Sequence, residues 1–476
     1  GVAAFTNAFA SLNDGKTNFG GALGGNVTFN RRTWATIVNG NVQGLPDGEF
    51  ITDVAGAVSN SHVDITGVIN VNSVTANTLR AKSPGATTLT IASGKALLFP
   101  YSGNDKLAGV LLTPAAGDVT IEGGTIDFGA NRWLHLHNYS SNRFTISSLI
   151  KLNDVNSHVM TCGPGEINLL NPTNTFKNLG VYGGTMMFDQ IADTGVPQEL
   201  GTAQLYLGDA TLKYTGAGHS SDRTIILRGS GVIDASGTGP LTFTTTKNFI
   251  VSPANDLRDM PLTLTGTGTG SIAGTMATIA GYLTKRGSGV WVLGNGYTNW
   301  QTTIEDGTLC VTGTLHSWNI VSVGPNGRLT GTGVIPRDLE ISGAVAPGLS
   351  VGTLNAGFVT FNPGAVYEWE VGNEGTSDVI RATGDIEIGT AANSITVMVS
   401  KVEGTSQQGA YRLLSGGAII GVTNAIVMQY SQGLIGPAHP TFDGGIAAVT
   451  VVPEPSVMLL ATLALLGLRR AARPAC

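Results

Sequence analysis

Along the first 450 or so positions, apolar residues come in short alternating runs rather than in helical stripes. Runs such as Val63-Asp64-Ile65 and Leu262-Thr263-Leu264 put every second side chain on one face, the period of a half-buried strand. No amphipathic helix longer than about ten residues can be drawn through this body. One short pattern recurs: apolar, two free positions, Gly, a variable residue, apolar, one free position, apolar. It occurs at 91–98 with Gly94, 121–128 with Gly124, 181–188 with Gly184 and 304–311 with Gly307. The copy at 207–214 carries Ala210 in place of the Gly, and that at 361–368 keeps Gly364 but ends on Glu368. Their spacing suggests a loose unit of roughly 30 residues with some copies eroded. Each copy reads as strand, tight turn, strand, because Gly permits the positive φ of a sharp corner and the apolar residues after it share a face. Such a unit cannot bury its apolar face alone, so units stack, each strand pairing in parallel with its equivalent one coil away. The expected fold is all-β, a single parallel β-helix over 1–450 with a short hydrophobic helix at the C-terminal end. Ile121, Ile126, Phe128, Val181, Met186, Phe188, Ile304, Leu309 and Val311 are expected to point inward.

Composition narrows the setting. Only 12% of residues are charged where about 25% is usual, and Gly supplies 67 of 476, which leaves few helix formers. The net charge of -6 comes with no basic stripe, so nucleic acid is not an expected partner. Cys162, Cys310 and Cys476 lie far apart without CxxC spacing and suggest neither a disulfide framework nor a zinc site. The chain starts at Gly1 with no visible secretory signal, which points to an upstream segment that is missing or already removed.

Residues 452–476 differ from all that precedes. Val452-Pro453-Glu454-Pro455-Ser456 opens this tail, uncharged residues fill 457–468, and Arg469, Arg470 and Arg473 close it. The prolines hold the leader extended and present Glu454. A helix over 457–468 would be roughly 18 Å long, short of a bilayer core of about 30 Å, with the arginines at the cytoplasmic face. The tail resembles the PEP-CTERM sorting signal of bacterial envelope proteins, in which Pro-Glu-Pro, a hydrophobic stretch and an Arg-rich end follow in that order. The resemblance implies export, a transient inner-membrane anchor through 457–468, and cleavage by the membrane-embedded cysteine transpeptidase exosortase. Delivery to the cell surface or extracellular matrix would follow. Pro453, Glu454, Pro455, Arg469 and Arg470 would be the sorting residues, Cys476 would leave with the tail, and a chain that keeps it is not fully matured.

A second resemblance lies in the body. Leu283-Thr-Lys285-Arg-Gly287-Ser-Gly289-Val-Trp291-Val-Leu293 leads through Asn295-Gly-Tyr297 to Gly307-Thr308-Leu309. This is similar to the autotransporter-associated β-strand repeat, with its Leu-x-Lys-x-Gly-x-Gly, Asn-x-Tyr and Gly-Thr-Leu marks, and 283–311 is its clearest copy. Asn299-Trp300 stands where the repeat has a Gly. A weaker copy spans 174–186, and 346–354 and 370–384 resemble segments found near the C-terminal ends of such repeat proteins, so that the marks cover about a third of the chain. The resemblance implies a right-handed β-helix stalk on the cell surface, without established catalytic residues. Self-export would need a membrane barrel of strands about ten residues long, and the chain carries a sorting tail instead.

Motifs for chemistry are sparse. Gly348-Leu349-Ser350-Val351-Gly352 fits GxSxG, but a nucleophile elbow needs a strand-to-helix turn and a later acid and His, and only His439 follows. Gly268-Thr-Gly270-Ser-Ile-Ala273 lacks the βαβ setting of a dinucleotide site. His135 and His137 sit two apart and share a strand face; they are read as a surface pair, since copper or zinc would need a further ligand and none neighbours them in sequence. Trp133, Tyr139, Trp291, Tyr297, Trp300 and Trp318 could offer rings to sugar or fill the core. The motifs of pectin hydrolases are absent: there is no Asp-Asp, and Gly218-His219 is followed by Ser220. The expectation is a non-enzymatic structural or adhesive surface protein with no catalytic, cofactor or metal site, its partners being exosortase and an extracellular polysaccharide. The alternative is a β-helical polysaccharide lyase or glycoside hydrolase with carboxylates gathered across coils.

Overall fold

The computed structural model describes residues 28–453, apart from 39–40, 100–106, 130–132, 152–156, 246–247, 252–259, 277–280, 374, 393, 403–408, 432–433 and 438. The helical elements among the described residues are two single 3-10 turns, Asp47–Glu49 and Thr423–Ala425; the rest of the regular structure is strand. The expected helix at 457–468 lies outside the described residues, as do Glu454, Pro455, Arg469 and Arg470. Two compact units are present, 1–245 with 250–253 and 246–249 with 254–476.

In the first unit, parallel strands stack with their inward side chains in register. One ladder runs Leu134, Val159, Leu179, Leu205 and Ile225, and another Phe144, Ile167, Met186, Leu212 and Ile233, each the partner of the next. All ten are buried. Successive partners are one coil, roughly 19–26 residues, apart. The coil agrees with a sequence-based expectation of roughly 20 to 25 residues and is shorter than the spacing of about 30 between motif copies, because loops vary in length while the strands keep register. Ahead of these coils, Thr28–Phe29, Thr33–Val38 and Asn41–Gly44 make a small antiparallel meander. Its Trp34 is wholly buried against Leu45, Phe50 and Leu111, with Tyr139 packed alongside. The meander thus covers the outer face of the parallel sheet, which explains why Leu107–Leu112 reads as a continuous apolar run rather than an alternation.

The second unit repeats the scheme. Trp291, Leu309, Leu329, Val345, Tyr367, Val397 and Met428 form one inward ladder of register partners. Parallel order stops at the end of this unit. Gly409–Ser415 pairs antiparallel with Ile446–Pro453, which also pairs with Thr441–Asp443 and Leu434–Ile435. Such an end covers an edge that would otherwise invite another strand.

All nine residues expected in the core are buried. Gly94, Gly124, Gly184, Gly307 and Gly364 take the positive φ their corners require. Where Ala210 replaces the Gly, the left-handed corner moves one residue back to Asp209, at φ 51°; a short polar side chain tolerates that conformation. Two copies turn with the opposite phase: Leu97 and Tyr367 face inward while Leu98 and Glu368 face out. A corner longer by an odd number of residues flips every side chain after it; Leu89 and Leu97 are the partners of Ile121 and Ile126, so that corner is three residues longer than its neighbour's.

Candidate functional site

The repeat at 283–311 builds one corner of the second unit from its backbone upward. Lys285 is wholly buried and donates from Nζ to the carbonyls of Arg286 (2.7 Å), Gly287 (2.6 Å) and Asp306 (2.9 Å). Burial pushes its pKa down to about 8, so at neutral pH it is still an ammonium whose three protons match three acceptors. At Gly307 a Cβ would stand 2.2 Å from the Gly287 carbonyl oxygen, which reserves the position for glycine. Tyr297 is buried, with its hydroxyl donating to the Ile272 carbonyl at 3.2 Å. Asn299, where the repeat has a Gly, buries its amide instead: Nδ2 donates to Thr302 Oγ1 (2.8 Å), and Oδ1 accepts from Ser317 Oγ (2.8 Å).

That polar knot fixes the next residue on each coil. Asn299 and Ser317 are register partners, so Trp300 and Trp318 occupy equivalent positions one coil apart, about 4.8 Å along the stack. Both are turned out to solvent, 43% and 60% exposed. Their neighbours Gln301 and Asn319 share an amide hydrogen bond, Asn319 Nδ2 donating to Gln301 Oε1 at 3.3 Å. Exposed Tyr282 is the register partner of Gln301. The result is a step of aromatic rings edged by amides. Of the aromatics singled out from sequence, Trp291 and Tyr297 belong to the core, whereas Trp133, Trp300 and Trp318 are exposed.

A groove of about 450 Å³ in the same unit is lined by Arg328, Glu368, Glu370, Asp378, Cys310 and Ser350 among others. Two of its three carboxylates, Glu368 and Asp378, are already engaged. Arg328 grips Glu368 with Nε and Nη2 at 2.7–3.1 Å. Asp378 accepts the N–H groups of Gly352 (2.8 Å) and Glu370 (3.0 Å). Burial raises Asp378 to about 7 against the pull of those two donors. Ser350 lies between strands Ala344–Pro347 and Thr353–Ala356, with no helix to make an elbow, and His439 Nδ1 bonds the Ile426 carbonyl at 2.7 Å.

In the first unit the structure corrects the reading of His135 and His137. They are not a surface pair: only 6% and 2% of each is exposed, because the N-terminal meander lies over their face of the sheet. Their rings stack at 6.1 Å, and His137 also stacks on Tyr139 at 5.9 Å and meets the edge of Trp34 at 5.6 Å. The next coil then supplies a neighbour that sequence spacing hides. His137 and Cys162 are register partners, and one donor atom from each of His135, His137 and Cys162 lies within 4.8 Å of the other two. Burial, with the adjacent His137, drives the His135 pKa down to about 3, so its imidazole is neutral; burial pushes the Cys162 thiol up to about 11.

The chain is similar to an adhesin. The match is to the adhesin BmaC autotransporter of Brucella suis biovar 1, 25% identical over 361 residues, covering 64% of this chain and 10% of that protein. The chain thus spans about a tenth of the relative's length. No family model matches.

Of the sorting residues, Pro453 ends the strand Ile446–Pro453 as the antiparallel partner of Leu434, and the other four lie outside the described residues. The residues that sequence reasoning missed are Gln301, Asn319 and Tyr282 beside the tryptophans and Cys162 beside the histidines. Only strand register, which the sequence does not number, brings them together.

Proposed function

We propose that this chain is an exported, surface-delivered β-helix protein with a structural and adhesive role, and that it holds extracellular polysaccharide on the Trp300–Trp318 step. The aromatic step carries the reading. Two tryptophans left in water one coil apart lose the burial their rings would gain in the core, and flat apolar rings edged by amides match the faces and hydroxyls of a sugar chain. The weak likeness to an adhesin supports the same reading. The coils turn in the right-handed sense, the strong preference of parallel crossovers. Exosortase acts at Pro453-Glu454-Pro455, and 457–468 anchors the chain in the inner membrane until release.

The test is retention of the purified chain on the polysaccharide of the producing cells' matrix, in affinity electrophoresis. Trp300→Ala with Trp318→Ala should weaken retention by about tenfold, taking roughly 0.5–1.5 kcal/mol per stacked ring. Both rings are exposed, so the fold should survive. Retention equal to wild type would remove the step from the binding surface.

A further inference from the structure

The cluster at His135, His137 and Cys162 takes no part in the adhesive reading, and its chemistry is specific. His135 is 6% exposed, and neither of its ring nitrogens has a hydrogen-bond partner. Leaving a buried polar group unbonded costs about 1–3 kcal/mol, and a fold seldom retains one without a use. His135 and His137 project from Trp133–Asn138, Cys162 from His158–Cys162, so the three donors bridge two adjacent coils. Their spread of 4.8 Å or less is one that an ion with bonds of about 2.0–2.3 Å gathers by small side-chain rotations. Trp34, Trp133 and Tyr139 wall the histidines, and Met160, the register partner of His135, adds a soft side chain to the same face.

We propose that His135, His137 and Cys162 form a copper(I) site that ties two coils together beneath the N-terminal meander. One thiolate and two neutral imidazoles around Cu+ make a site of zero net charge, suited to apolar surroundings. Zn2+ on the same ligands would leave a buried positive charge, with the Arg31 guanidinium already 5.7 Å from the Tyr139 ring centre, and structural zinc is almost always held by four ligands. A thiolate suits Cu+ and Zn2+ alike, so net charge and the three-ligand count are what favour Cu+ here. On binding, the Cys162 thiol gives its proton to solvent as the copper–sulfur bond forms, both imidazoles bind through a lone pair, and no electron is transferred. Half-buried Cys162 provides the way in.

Cu+ supplied without oxygen to the full chain, in competition with a coloured Cu+ chelator, tests the proposal. Wild type should retain one Cu+ per chain, and Cys162→Ser or His135→Gln should each weaken retention by at least about tenfold. A second measurement needs no variant. Cu+ should protect Cys162 from alkylation, read peptide by peptide by mass spectrometry with Cys310 as the internal reference. Equal retention by both variants, alkylation of Cys162 indifferent to Cu+, or protection by Zn2+ in preference to Cu+ would each overturn the copper site.

Discussion

Lys285 Nζ donates to the carbonyl oxygen of Asp306 at 2.9 Å, joining one coil of the second unit to the next. The same ammonium holds two carbonyls of its own turn, so a residue type that normally stays in water becomes a hub of the coil stack. Arg223 does the same in the first unit, wholly buried and bonded to the carbonyls of Leu200, Gly201 and Ala203. Lys285→Met keeps the volume but leaves three carbonyls unserved, and should cost about 3 kcal/mol. A lower melting temperature in calorimetry is the expected result; a variant that melts with wild type would show that the bonds contribute nothing net.

Leu309 stacks between Trp291 and Leu329 and is wholly buried. Leu309→Ala should cost about 2–5 kcal/mol through the cavity it leaves. Leu309→Asp should abolish folding, since a carboxylate there has no partner and no water. Soluble Leu309→Asp protein with wild-type circular dichroism would contradict the inward ladder.

Asp378 gives a pH dependence with a definite sign. Its carboxyl titrates at about 7 when folded, against an ordinary 3.8, so between those values the folded chain binds more protons than the unfolded. Its share of stability is therefore full below pH 3.8 and falls as pH rises through about 7. Melting temperatures across that range should show the decline in wild type and a shallower one in Asp378→Asn, which does not titrate, the remainder coming from Glu199, which burial raises to about 8. Parallel profiles would rule this group out.

For the tail, Glu454→Ala should leave membrane insertion intact and block release, while removal of Arg469, Arg470 and Arg473 should loosen retention and orientation. Mass spectrometry of the released protein should find it short of the full chain by about the last two dozen residues. Mature protein recovered from outside the cell with residues 469–476 still attached would sink the sorting reading, as would free release of the Glu454 variant.

Much of the local fold is legible in the sequence. Gly124, Gly184 and Gly307 announce their corners because no other residue occupies a positive φ so readily, and Ile126, Met186 and Leu309 follow them inward on a period of two. The phase fails at Leu98 and Glu368, where side chains after the corner take the opposite faces because corner length varies, which composition does not record. The buried role of Lys285 is legible only as a repeat motif, without its reason; three carbonyls around one ammonium are a property of the stacked turns.

The sequence by itself determined the strand period, the corner positions and the all-β class, since these rest on side-chain alternation and backbone sterics within a few residues. Tertiary structure alone decided which coil meets which. Coil length varies, so nothing local fixes that Cys162 falls beside His137 or that Trp318 falls beside Trp300. It also decided what is covered. The meander around Trp34 turns an outward strand face into an interior, and two histidines that alternation places on the surface are buried by a segment about a hundred residues earlier in the chain. Alternation reports which face a side chain takes, and only packing reports what lies against that face.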